Sequence, residues 1–443
     1  MSKSHATPLP ILNPHAAGID VGSRQHLVCV GFNPDTDVRA FNTFTADLDI
    51  LADWLIERGI TTVALEATGV YWIPLFEILT ARGLQVILID PRQTRRPGRP
   101  KTDRLDCQWI RRLHACGLLQ AAFRPDDSIC ELRSYMRQAS TLIGDSSRSI
   151  QHMQKALELM NVKLTEVVDD ISGKTGFTIL RAILRGERDP KCLARFRDPR
   201  CKASKETISR ALQGNWRAEH LFALQQAVES WDFCQKQLRA CEGRIEACLR
   251  RMPQKQPDKM LPPRSRPRKL RHNAPHFDAR GLLAPILGVD LTAIEGIDDA
   301  GALVITSELG LHVNDFATEK HFGSWLGLAP KAKSSGQRRK NRTAPGAHRI
   351  AQVLRMAASS LHKSQTALGA FLRRLKGRLG APKATTATAY KLARLIWRML
   401  KHGTDYVLKD MAEYEAKFRG KTIKALERKA KAFGYQLVQV PST

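Results

Sequence analysis

Four carboxylates stand out in a chain that is otherwise strongly basic. Asp20 closes the first apolar run, in GIDVG, between glycines that let another backbone or a ligand come close. Glu66 ends a β-type run, in ALEATG. A carboxylate directly after a buried strand is costly unless it is paired, solvated or metal-bound. Asp103 and Asp106 lie in KTDRLD, where i,i+3 spacing puts both on one helix face. Two strand ends and one helix face therefore offer the hard oxygen ligands that Mg²⁺ takes while keeping its water, and Mn²⁺ suits them too. Two such ions about 4 Å apart support phosphodiester chemistry. Taken singly, each acid has a plainer role open to it. Asp20 could be a turn residue, Glu66 a helix cap, and Asp103 and Asp106 acids that compensate the dipole of a first helical turn.

A second group lies in LGLAPKAKSSGQRRKNRTAPGAHR. Ser334 and Ser335 fall in an expected turn before Gly336, among Lys331, Lys333, Arg338, Arg339, Lys340 and Arg342. Cations bind phosphate and stabilise charge that develops there. A serine in this setting can attack a phosphodiester and form a protein–DNA ester. A phosphate-binding loop whose serines only donate hydrogen bonds is the alternative these residues leave open. Arg95, Arg96, Arg99 and Lys101 lead into the acid pair and add phosphate-binding groups. No Ser/His/Asp arrangement stands out, and there is no P-loop GxxxxGK[ST].

The elements that must position these residues follow from periodicity. Over 16–124, AGIDVG, HLVCVGF and RAFNTF read as adjacent strands, and TTVALEA and LQVILID as two more. DLDILADWLIERG, VYWIPLFEILTARG and TDRLDCQWIRRLHACGLL read as helices, the last with Thr102 as its cap. Strands first, then alternating helices and strands, predict an α/β sheet with helices on its faces. Two heptad stripes follow, one from Leu132 to Leu164 and one from Leu221 to Cys248. They predict a helical arm or dimerisation coiled coil over 125–251, interrupted by a polar insert at 171–216; two helices of an ordinary bundle fit equally. Residues 252–282 begin with a Pro-rich basic stretch that reads as a linker. Residues 283–400 form a mainly helical domain holding the serine motif, and 401–443 a charged helical tail. The fold class is thus α/β plus α.

The chain has 443 residues, with 71 Lys+Arg against 43 Asp+Glu and a formal charge of +28. Folding does not need that excess; it reads as a surface for a polyanion, DNA or RNA. An apolar content of 43% argues against wholesale disorder. No apolar run approaches the roughly 20 residues of a membrane span, and the first residues lack the core of a signal peptide. Nine cysteines without a CxxC pair indicate a reduced chain rather than a disulfide scaffold or zinc ribbon. A cytoplasmic location without membrane contact is the expectation.

GIDVGSRQHLVCV, ALEATGVYW, IDPRQTRRPGRPKTDRLDCQWI and FGSWLGLAPKAKSSGQRRKNR occur in that order. Together they resemble the DEDD-type transposases of bacterial insertion sequences, the family of Piv-like invertases and bridge-RNA-guided recombinases. The resemblance implies an N-terminal RuvC-like domain of ribonuclease H fold over 1–124, with Asp20, Glu66, Asp103 and Asp106 as its metal-binding acids. It implies a coiled coil that joins subunits into homodimers and tetramers, and a C-terminal transposase domain whose serine attacks DNA. That serine precedes a glycine, which selects Ser335 over Ser334. It further implies a structured non-coding guide RNA that pairs with donor and target DNA. Acids and serine would act as one composite site, within a subunit or across two. The competing readings are a RuvC-like metal-dependent nuclease acting on branched DNA without serine chemistry, and a non-catalytic nucleic-acid-binding protein. Gln337 after SSG, TAPGAHR, the long linker and the insert depart from the simplest family pattern.

Overall fold

The computed structural model describes residues 10–33, 35–95, 102–263, 274–335, 338–343 and 348–438, and for 331–335, 338–342, 409 and 410 the backbone alone. Arg96, Arg99 and Lys101 lie outside the described residues, as do Gly336 and Gln337. The chain divides into two compact units, Met1–Arg124 and Pro125–Thr443.

The first unit opens with three strands, β1 (Ala16–Val21), β2 (Gln25–Cys29) and β3 (Val38–Asn42). They form the expected antiparallel meander. Helix α1 (Thr45–Glu57) then crosses to β4 (Thr62–Glu66), and α2 (Trp72–Ala81) to β5 (Gln85–Ile89). Both of these strands are parallel to their neighbours, giving the order β3-β2-β1-β4-β5. A short helix, α3 (Pro91–Thr94), precedes α4 (Asp103–Ala115). Ala17, Ile19, Val63 and Leu65 form a dry core with Leu51 and Leu55 of α1 and Leu75 and Leu79 of α2. The architecture is a mixed five-stranded sheet, α/β as the sequence predicts.

The second unit is almost entirely helical. Helix α5 (Asp127–Leu159) leads through α6 (Leu164–Val167), α7 (Lys174–Leu184), α8 (Pro190–Ala194) and α9 (Lys205–Ala211) to α10 (Ala218–Arg251). Helices α5 and α10 lie antiparallel. Gln235 donates to Ser146 at 2.9 Å, Ser149 to Ser230 at 3.1 Å, and Arg251 pairs with Glu131 at 2.7 Å near the other end. The buried face of α5 runs through Leu132, Ala139, Leu142, Ser146, Ser149, Met153 and Ala156, whereas Met136, Ile143 and Ile150 are only half-buried. These positions repeat every seven residues, 132, 139, 146 and 153 in one row and 142, 149 and 156 in the other, so the heptad is kept while its second row lies one residue before Ile143 and Ile150.

The stretch 171–216, expected as a polar insert, instead carries part of a core. Ile171, Phe177, Ile179, Leu180, Ile183, Leu193, Ile208 and Leu212 are buried with Met153 and Leu157 of α5 and Leu224 and Val228 of α10. Its apolar residues are spread over three short helices and the turns between them, and only α7 carries them at helical spacing, through Phe177, Leu180 and Ile183.

Helices α11 (Ala279–Leu287), α12 (Asp299–Leu309) and α13 (Glu319–Trp325) follow. A hairpin of β6 (Pro330–Ser335) and β7 (Arg338–Thr343) comes next, then α14 (Arg349–Ser360), α15 (Ala367–Leu379), α16 (Ala381–His402) and α17 (Thr404–Ala432). A short 3₁₀ turn, Leu291–Ala293, precedes α12, whose start Asp298 caps by accepting from Gly301 N.

Candidate active site

Side-chain alternation sorts the sheet of the first unit into two faces. Ile19 and Leu65 enter the core with α1 and α2. Gly18 and Ala64 face α4. A Cβ on Gly18 would stand 2.2 Å from the Arg111 amide nitrogen, so only glycine lets the helix come this close. Ala64 packs with Ile110 and Ile89. By the same alternation Asp20 and Glu66 belong to the α4 face. Each follows the last β1–β4 pair, Ile19↔Leu65, by one residue, so they are neighbours across the strand ends.

The course of α4 brings its acids to the same place. Thr62 Oγ1 and His114 Nε2 are 2.9 Å apart near the strand starts. Arg111 Nε donates to the Ala16 carbonyl at 3.3 Å. The helix therefore runs back along the strands, its first turn toward their C-terminal ends. Ile110 to Asp106 is about one helical turn, about 6 Å; Ala64 to Glu66 is two strand residues, about 6.6 Å. Asp106 thus comes level with Glu66, and Asp103 lies a turn beyond. Thr102 fixes where the helix starts by accepting a hydrogen bond from Leu105 N at 3.3 Å. The Cys107 thiol, next to Asp106, is pushed up by its hydrogen bond with Cys29, by burial, and further by the charges of Cys29 and Asp20.

The plainer roles fare unequally. Asp20 is a ladder residue opposite Leu27 and not part of a turn. Glu66 caps no helix; its two oxygens accept from Thr68 and Thr94, each at 3.0 Å. Asp103 and Asp106 do occupy a first helical turn. Asp90, a further acid after a strand, is accounted for by its cap and ion pair with Arg92, which hold its carboxyl below the usual range. The four acids share one end and one face of the sheet. Among the described residues, though, no three His, Cys, Asp or Glu side chains are gathered as ligands of one ion. As a donor set, four carboxylates fit a hard divalent cation. The sequence did not reveal Thr94. It reaches Glu66 across 28 positions, and no local pattern marks such a contact.

In the second unit the expected turn before Gly336 is the end of a strand. Ser335 closes β6 opposite Arg338, and Ser334 stands opposite Arg339. The register also opposes Lys333 to Lys340 and Lys331 to Arg342. Alternate pairs of a two-stranded ladder fall on one face. Ser335 therefore shares its ladder face with the cation pairs 331–342 and 333–340, and Ser334 shares the other with Ala332 and Asn341. Like charges opposed in a ladder are destabilising unless something anionic intervenes.

Two supports flank this hairpin in the chain. Before it, Glu319 of α13 holds Arg394 and Arg398 of α16. After it, His348 packs on Trp325 with ring centroids 4.3 Å apart, and its Nδ1 makes no hydrogen bond among the described residues. Burial pushes the imidazole down to about 4. The nearly buried Glu308 carboxylate takes a bidentate grip from Arg137, at 3.1 and 2.9 Å, while Arg133 caps the end of α12 through the Ser307 and Glu308 carbonyls. Arg95, in the first unit, is exposed. Among the described residues no helix is long and apolar enough to cross a membrane.

A mixed sheet with acids at its strand ends thus precedes a mainly helical unit that carries a serine hairpin. Residues 17–162 match the DEDD transposase model of the IS110 type, and residues 290–372 match the transposase model of the IS116/IS110/IS902 family. The chain belongs to the IS110-type DEDD transposases and is a DNA transposase. No curated protein matches it. Domains of the DEDD type use divalent metal ions.

Proposed function

We propose that this transposase cuts and exchanges DNA strands of an insertion sequence with Ser335 as nucleophile, under the direction of a structured non-coding guide RNA. The observation that carries this reading is the hairpin, which places Ser335 at the end of a ladder face otherwise made of opposed cations. The Ser335 oxygen attacks a DNA phosphorus. The bond from phosphorus to one strand's oxygen breaks, that strand leaves with a hydroxyl, and the serine's proton passes through water to it. Attack by a hydroxyl from the other DNA reverses the step and rejoins the strands, so bonds are exchanged without net hydrolysis. Lys331, Lys333, Arg338, Arg339, Lys340 and Arg342 bind the phosphates and offset charge that builds on the reacting one. Ser334 donates a hydrogen bond beside it.

Asp20, Glu66, Asp103 and Asp106 would hold Mg²⁺ or Mn²⁺, which supplies positive charge at the phosphate when bound. Thr68 and Thr94 orient Glu66 for that role. The sheet order, a meander followed by two parallel crossovers, supports the RuvC-like reading of the domain at 1–124. Helices α5 and α10 (125–251) form the arm through which homodimers and tetramers assemble. The linker 252–282 leads to the transposase domain (283–400) and tail (401–443). Arg95, Arg96, Arg99 and Lys101, which precede the acid pair in the sequence, bind nucleic acid. A guide fits the +28 charge, since cations give affinity for DNA but little choice of sequence. The setting is a bacterial cytoplasm.

The test is strand exchange in vitro on donor and target DNA, with RNA transcribed from the element's flank and Mg²⁺. Exchanged products are expected, lost with a chelator, with Asp20→Asn, or without the RNA. Exchange that proceeds unchanged without RNA would remove the guide from the scheme, and exchange that persists in Asp20→Asn would remove the acids.

A further inference from the structure

Helix α17 divides at its middle. Its first half is anchored: Val407 is buried, Glu415 accepts from the Ala367 amide at 2.5 Å, and Lys391 lies 3.6 Å above the Tyr414 ring. From Arg419 to Ala432 every residue except the half-buried Ala430 is exposed. Packing does not explain why the helix continues. Ala, Lys, Arg, Glu and Leu sustain it by propensity.

The exposed half has an ordered charge pattern. Lys417, Lys421, Lys424, Arg428 and Lys431 recur at alternating spacings of 4 and 3. At about 100° per residue they fall within an arc of about 80°, a straight stripe about 21 Å long. Glu413 pairs with Lys417 at 3.8 Å. Lys421, Lys424, Arg428 and Lys431 have no acidic partner among the described residues. Cations three and four apart on a helix repel one another, so the stripe is a cost that a polyanion would relieve.

We propose that the α17 stripe is a docking surface for the phosphate backbone of duplex DNA, binding without regard to sequence. The proposal rests on the chain acting on DNA as a transposase. Charge complementarity selects the occupant. A row of ammonium and guanidinium groups, with Glu427 at its margin as the one acid in 419–432, suits a regular line of phosphates and reads no bases.

Neutralised phosphates are counted by the salt dependence of binding, at about 0.9 units of slope per phosphate on duplex DNA. The experiment measures binding of the full chain to a labelled duplex of arbitrary sequence across salt concentrations. It compares the wild type with the combined Lys421→Gln, Lys424→Gln, Arg428→Gln and Lys431→Gln variant. A charge-retaining control carries Lys421→Arg, Lys424→Arg and Lys431→Arg, and circular dichroism checks that helicity is kept. The slope is expected to fall by two units or more in the glutamine variant and to hold in the arginine control. A smaller fall overturns the proposal. So does a fall seen on duplex RNA alone, which would assign the stripe to the guide. If the wild type itself binds no duplex DNA, the reading as a DNA-acting transposase fails, an outcome distinct from an unchanged slope in a chain that binds.

Discussion

His348 shows how one side chain at the start of α14 ties that helix to α13. Its ring is packed on Trp325 and held neutral by burial, with Glu308 favouring and Arg133 and Arg137 opposing its charge. Its folded value of about 4 lies below the ordinary 6.5. Between those values the unfolded chain binds a proton that the folded chain does not, so stability falls as pH drops from 6.5 and the loss is complete near 4. In full that loss is about 3 kcal/mol. Urea melts should show this acid limb flattened in His348→Phe, and an unchanged limb would place the titration elsewhere. Glu66 makes a second residue-scale case. Thr94→Val removes one of the two hydroxyls that orient it. A fall in strand exchange of about ten-fold is expected, relieved by raised Mg²⁺, as for loss of an outer partner of a metal ligand.

At the scale of elements, everything at the acidic end depends on α4 lying close against β1. Gly18 permits that approach, and Gly18→Val would force the Arg111 and Cys107 backbones away. The denaturation midpoint should drop by the equivalent of about 2 kcal/mol or more, as overpacking does. Strand exchange should fall with it even where the variant remains folded. Full activity in a folded Gly18→Val chain would show that the helix need not sit there. The glycines of GIDVG were readable as a place of close approach, because a missing Cβ has few other uses inside a strand. That α4 was the visitor was not, since the contact joins positions far apart in the sequence. Apolar periodicity likewise marked α5 and α10, which are long enough to repeat it. It failed over 171–216, where short helices and turns share one core and only α7 carries apolar residues at helical spacing.

For the whole molecule the governing quantity is the charge of +28. Affinity for any duplex should fall steeply as salt rises, with a slope near −0.9 for each phosphate engaged. The order of the motifs made the family readable, because each acid and the serine lie in a short run with a pattern of its own. The strand placement of Ser335 was harder to foresee: Ser and Gly favour turns, and only pairing with β7 turns the stretch into a ladder. How the acidic end and the serine serve one reaction is a question for chemistry on DNA. The most direct measurement uses the purified chain with Mg²⁺, the element's flanking RNA and a labelled junction DNA. A denaturing gel then displays any covalent protein–DNA adduct for the wild type, Ser335→Ala, Ser334→Ala and Asp20→Ala. We expect an adduct that requires the RNA, survives Ser334→Ala and disappears in Ser335→Ala and Asp20→Ala. Cleavage without an adduct, indifferent to both serine changes, would contradict the serine mechanism and leave a metal-dependent nuclease.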